Sequence, residues 1–114
     1  MSDLLKDTVE SYNNYLVRLP IGCQEISDLL RKDHIMDAMN LITNFSEGVI
    51  WLTTANDFFL KSNLQSELNA KKIHEFLYEV NSGLEIQDYI LIADMFEYEI
   101  KPFFDECPAI EFTN

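Results

Sequence analysis

The stretch His34–Lys61, HIMDAMNLITNFSEGVIWLTTANDFFLK, decides the fold class. Ala38, Ile42, Phe45, Val49, Leu52 and Phe59 recur at helical spacing, and a second stripe, Leu41, Phe45, Gly48, Leu52, Ala55 and Phe59, lies beside them. At 3.6 residues per turn the two stripes merge into one broad apolar face. A face that wide needs more than one neighbouring helix to cover it, so the stretch reads as the central helix of a small bundle.

The residues before it carry a narrower signal. Leu5, Val9, Tyr12, Leu16, Leu19, Cys23, Ile26 and Leu30 follow at alternating steps of four and three. The seam keeps its phase past Pro20, so the spacing predicts one helix over 3–32, kinked near Pro20, rather than two helices broken at 19–22. Asp33 is the expected N-cap of the central helix. If these two helices fold back on each other, Gly22 lies near Asn44 and Gly48 near Arg18.

After the turn at 61–63, Leu64, Leu68, Ile73, Phe76, Leu77, Val80 and Leu84 outline a third helix over roughly 64–82. Asn81-Ser82-Gly83 could stop it, or Leu84 and Ile86 extend it to about 87. Asp88 is the expected cap of a fourth helix over 89–106, with the seam Tyr89, Ala93, Phe96, Ile100 and Phe103. Pro102 is expected to kink it or end it early, and the tail from about 107 is expected to be irregular. Residues 1–114 thus read as one all-α domain, an antiparallel up-down-up-down four-helix bundle.

Composition narrows the function. The 20 acidic and 8 basic residues give a net charge of −12. Residues 85–114 alone hold 8 acids and 1 base, more than half of the excess. Without a basic face, nucleic acid and anionic membrane surfaces are not expected partners. The longest apolar run, Tyr89–Ala93, is far too short to span a bilayer. The acidic start MSDLLKDTVE does not read as a signal peptide, which implies a cytoplasmic chain with Cys23 and Cys107 reduced.

Catalytic and metal chemistry find little support. Arg31 and Lys71 stand three residues before His34 and His74, where a di-iron bundle needs glutamates. The two cysteines and two histidines lack zinc spacing, and no phosphate loop or nucleophile elbow is present. The expectation is therefore no catalytic residue, no metal and no cofactor.

What remains is apolar surface. Leu91, Met95 and Tyr98 form a stripe on the fourth helix, flanked by Asp88, Asp94 and Glu99, while Trp51 and Phe58 sit at the edge of the central helix. Large apolar groups exposed together mark interaction sites. Either a neighbouring helix or the tail from Phe104 to Phe112 covers them, or they meet a protein partner or a second copy of the chain. The favoured reading is a non-catalytic protein-binding module. Its alternatives are a structural homodimer, a metal-binding or enzymatic bundle using the carboxylates of the fourth helix, and an acidic decoy for a nucleic-acid-binding protein.

The segments YNNYLVRLPIGCQEISDLL, FSEGVIWL and DYILIADMFEYEIKPFF resemble a group of small acidic helical proteins of Gram-positive bacteria. The group has a Gly-x-x-Trp element, here Gly48 and Trp51, and a segment matched by Asp88, Tyr89, Ala93, Asp94, Glu97, Tyr98 and Glu99. The resemblance implies the helical fold and no particular activity. In size, acidity and helix content the chain is also similar to flagellar export chaperones, which implies an adaptor or export-chaperone-like role by architectural analogy alone.

Overall fold

The structure, a computed structural model, describes residues 2–111. Helix α1 (Asp3–Arg31) and helix α2 (Ile35–Lys61) form a long hairpin. Helix α3 (Ala70–Glu85) follows, and α4 (Tyr89–Met95), a π-helical turn (Phe96–Ile100) and α5 (Lys101–Asp105) run on without interruption as the fourth helix. At 1.5 Å per residue α1 is about 44 Å long, close to the 48 Å long axis of the molecule.

Cross-helix contacts fix the directions. Tyr12 meets Phe59 and Tyr15 meets Trp51, so α1 and α2 are antiparallel. Arg31 pairs with Asp94, Gln24 with Glu97 and Asn13 with Ile110, so the fourth helix and its tail descend along α1. Gly83 faces Ile92 and Phe76 meets Phe103, so α3 is antiparallel to the fourth helix. The result is the up-down-up-down four-helix bundle that the apolar periodicity implies.

All eight seam positions of α1 are buried, and α1 runs unbroken through Pro20. Edge-to-face aromatics join the remaining layers. Phe45 of α2 packs on Phe96 and Phe104, Phe104 on Phe103, and Phe103 on Phe76 of α3. The fourth helix therefore bridges α2 and α3 through its rings.

The turns differ from expectation in chemistry more than in place. Each of the three helix–helix junctions ends in a Schellman motif whose left-handed residue is not glycine: Asp33, Asn63 and Gln87, with φ of 62°, 61° and 54°. The bonds His34 N to Leu29 O, Leu64 N to Phe59 O and Asp88 N to Gly83 O close them at 2.9, 2.9 and 3.0 Å. Asp33 is thus the left-handed residue of the first turn and not the cap of α2, which starts after His34 without a side-chain cap bond. Of the two expected ends of α3 the longer is the nearer, because the helix runs past Gly83 to Glu85. Gly83 lies inside the helix, where a Cβ would come within 2.8 Å of Ile92 Cγ1, and its smallness admits the fourth helix.

Helix α3 starts at Ala70 and not near 64. Asn69 caps it by accepting from Lys72 N at 3.1 Å, and Ser66 Oγ accepts from Leu68 N, which favours a turn over a helix at 66–68. Leu68 is buried nonetheless, packed from an irregular segment. Pro102 does not end the fourth helix. The wide turn lies directly before it, with Lys101 N bonded to Phe96 O, and absorbs the lost proline donor and the bulk of its ring.

Candidate protein-binding surface

The stripe expected on the fourth helix does not exist as a continuous surface. Met95 is 3% exposed and belongs to the core. The fourth helix is flanked by both α1 and α3, so its buried arc spans Ile92, Ala93, Met95 and Phe96, wider than a single seam. Leu91 and Tyr98 stay exposed, at 44% and 67%, without the methionine that would join them. Phe104, expected as part of a covering tail, is buried in the bundle, and Phe112 lies outside the described residues.

The acids expected to rim that stripe are largely taken up in folding. Asp88 caps α4 by accepting from Leu91 N at 3.1 Å. Asp94 accepts from Arg31 at 2.7 Å. Glu97, overlooked as a partner of α1, accepts from Gln24 at 3.1 Å and Ser27 at 3.3 Å, with Arg31 Nε at 3.7 Å. Lys101 donates to Gln24 Oε1 at 3.1 Å. Hydrogen bonds from Tyr98 and Gln24, helped by Arg31 and Ser27, hold the Glu97 carboxyl below its ordinary range against the opposing effect of desolvation. Glu99 is exposed. This polar ladder fastens α1 to the fourth helix.

Trp51 and Phe58 part company. Phe58 is half-buried and tilted against Phe59. Trp51, 39% exposed, stands on a groove between α1 and α2. Its ring meets Tyr15 edge-on, with centroids 6.3 Å apart, and the Arg18 guanidinium lies 5.6 Å from the Tyr15 centroid. Tyr15 crosses directly over Gly48, where any Cβ would overlap its hydroxyl and ring. A glycine is needed there to let the tyrosine lie flat. Gly22 is the opposite case, because a Cβ added to it meets nothing within 4 Å.

Two adjoining depressions follow. One, about 150 Å³, is lined by Gly22, Glu25, Ile26, Leu41 and Phe45; the other, about 410 Å³, by Ser11, Glu47, Gly48 and Trp51. Tyr15, Arg18 and Asn44 line both. The expected neighbours Gly22 and Asn44 line one depression together, and Gly48 and Arg18 the other. Arg18 is expected here from the fold-back of the two helices, whereas Tyr15 is not, although its spacing from the α1 seam places it on the same flank, facing α2.

Both cysteines are free thiols. Burial pushes the Cys23 thiol up to about 12, so it stays protonated and inert at neutral pH. Among the described residues no group of three or more His, Cys, Asp or Glu side chains is arranged to hold a metal, and no helix is long and apolar enough to cross a membrane.

Residues 7–108 match the family model described as Domain of unknown function (DUF8042). The chain belongs to this family. No curated protein and no solved structure matches it. The DUF8042 span takes in both walls of the α1–α2 groove and the whole fourth helix.

Proposed function

We propose that this DUF8042 protein is a non-catalytic, cytoplasmic protein-binding module, adaptor or export-chaperone-like, whose contact surface is the α1–α2 groove. One observation carries the reading: the Tyr15 ring, in edge contact with the exposed Trp51, borders both the depression that Trp51 lines and the unfilled space at Gly22, an aromatic wall next to an open seat. Aromatic anchors beside apolar depressions are where interface energy concentrates. Glu25 and Glu47 rim the groove on a chain of net charge −12, so the partner is a helical segment with an apolar anchor and basic flanks. Arg18, stacked on Tyr15, gives that partner one fixed positive point for register. A non-catalytic role agrees with the use of Asp88, Asp94 and Glu97 as cap and fastening, and two free cysteines suit a reducing compartment.

The test is Gly22→Leu. The new side chain enters open space and raises helix propensity, so the fold is kept or strengthened while the seat is filled. Binding of displayed amphipathic basic helices, measured against scrambled controls, is expected for the wild type and lost in this variant. Equal binding by both chains would sink the assignment.

A further inference from the structure

Residues 107–111 are non-helical but not loose. Asn13 of α1 makes two bonds to one strap residue: its Nδ2 donates to Ile110 O and its Oδ1 accepts from Ile110 N, both at 2.9 Å. A carboxamide paired this way with the N–H and C=O of a single residue reads extended backbone, whatever the side chain. The Ile110 side chain is buried, whereas Pro108, Ala109 and Glu111 are exposed. Cys107, half-buried, meets the hydroxyl of the fully buried Tyr12. The strap rests on one apolar anchor and one side-chain amide.

Nor does the strap fill its seat. Beside it lies a depression of about 280 Å³ whose lining is mostly apolar, Leu16, Val17, Pro20, Phe104, Cys107 and Ala109, with the Asn13 carboxamide and the Asp105 carboxylate as its polar members. A longer extended segment lying along α1 would use that room.

We propose that the groove between α1 and the fourth helix is a binding site for an extended peptide segment with an apolar anchor, held shut in the isolated chain by residues 107–111 acting as a tethered occupant. It lies on the flank of α1 away from Trp51 and stands or falls independently of the α1–α2 reading. The strap opens without the bundle unfolding, and the incoming segment takes over the Asn13 pair and the Ile110 seat.

The full-length chain tests this in two steps. Thiol alkylation read by mass spectrometry compares Cys107 with buried Cys23, which reacts only on global unfolding. Cys107 is expected to react faster than Cys23 in the wild type, and Ile110→Asp, which ejects the anchor, should speed it by on the order of tenfold or more with helix content unchanged. Asn13→Ala is the second route to the same opening. A fluorescein-labelled peptide of residues 107–111, made with Cys107→Ser, is then titrated by polarisation. It should bind the Ile110→Asp chain better than the wild type and lose binding when Asn13→Ala is added. Equal rates at the two cysteines would show that the strap opens only with the bundle and overturn the proposal. So would a peptide that fails to distinguish Ile110→Asp from the wild type.

Discussion

Replacing Gly48 and Gly22 separately by alanine gives a controlled comparison, because both lie inside long helices and share the same propensity term. Alanine is favoured over an interior glycine by about 1 kcal/mol. At Gly22 the methyl meets nothing within 4 Å, so Gly22→Ala should stabilise by about 0.5–1 kcal/mol. At Gly48 the methyl would occupy the space of the Tyr15 hydroxyl and ring. Tyr15 is a flexible side chain and swings away, but it gives up the edge contact with Trp51 and the Arg18 stack. Those are worth about 0.5–1.5 kcal/mol and about 0.5–1 kcal/mol respectively. Gly48→Ala should therefore be neutral or destabilising by about 1 kcal/mol, leaving a gap of roughly 1–2 kcal/mol between the two variants. Urea unfolding followed by circular dichroism measures it, and Trp51, the only tryptophan, reports the local change. In a Tyr15→Ala background the obstruction is gone, so Gly48→Ala should recover the ordinary alanine gain. A Gly48→Ala protein as stable as Gly22→Ala in the wild-type background would refute the packing described for Tyr15.

Three further outcomes follow from the same geometry. Met95→Ala should cost about 2–4 kcal/mol in chemical denaturation, because Met95 is core, whereas Leu91→Glu on the exposed side should stay within about 0.5 kcal/mol. Gln87→Gly relieves a left-handed backbone at an exposed turn and should raise stability by about 0.5–1 kcal/mol, read as a higher melting temperature. Glu97 is held below its ordinary value of 4.5, so its contribution is fully present above that value and is lost as pH falls through the lowered folded-state pKa. The stability gap between wild type and Glu97→Gln, followed by urea titration across pH, should be constant near neutrality and shrink on acidification below about 4.5.

How far the sequence is readable depends on how local the signal is. The eight-position seam of α1 is a property of one helix against a core, and it predicts burial at every position. The two-helix register is legible too, because a short turn at 32–34 leaves little choice of pairing. Met95 is misjudged because a single seam presumes one neighbour, whereas the fourth helix lies between α1 and α3 and its rings also reach α2. The π-turn before Pro102 changes helical phase by an amount that no apolar period records. Asn69 and Ser66 shorten α3 through side-chain bonds that override an apolar pattern continuing to Leu64. The partners of Asp94 and Glu97 lie on α1, about 60 to 70 residues away in the chain, beyond any spacing argument. The groove depends on the flanks of two helices, so Trp51 and the placing of Gly22 and Gly48 against the partner helix are visible in the sequence, and the Tyr15 ring that borders both depressions is not.

The most direct measurement is quantitative capture from the source cell with three chains side by side: wild type, Gly22→Leu and Leu91→Glu. The groove account predicts a stoichiometric protein partner held by the wild type and by Leu91→Glu and lost from Gly22→Leu. Retention by Gly22→Leu, loss from Leu91→Glu, or no protein held by the wild type would each contradict it.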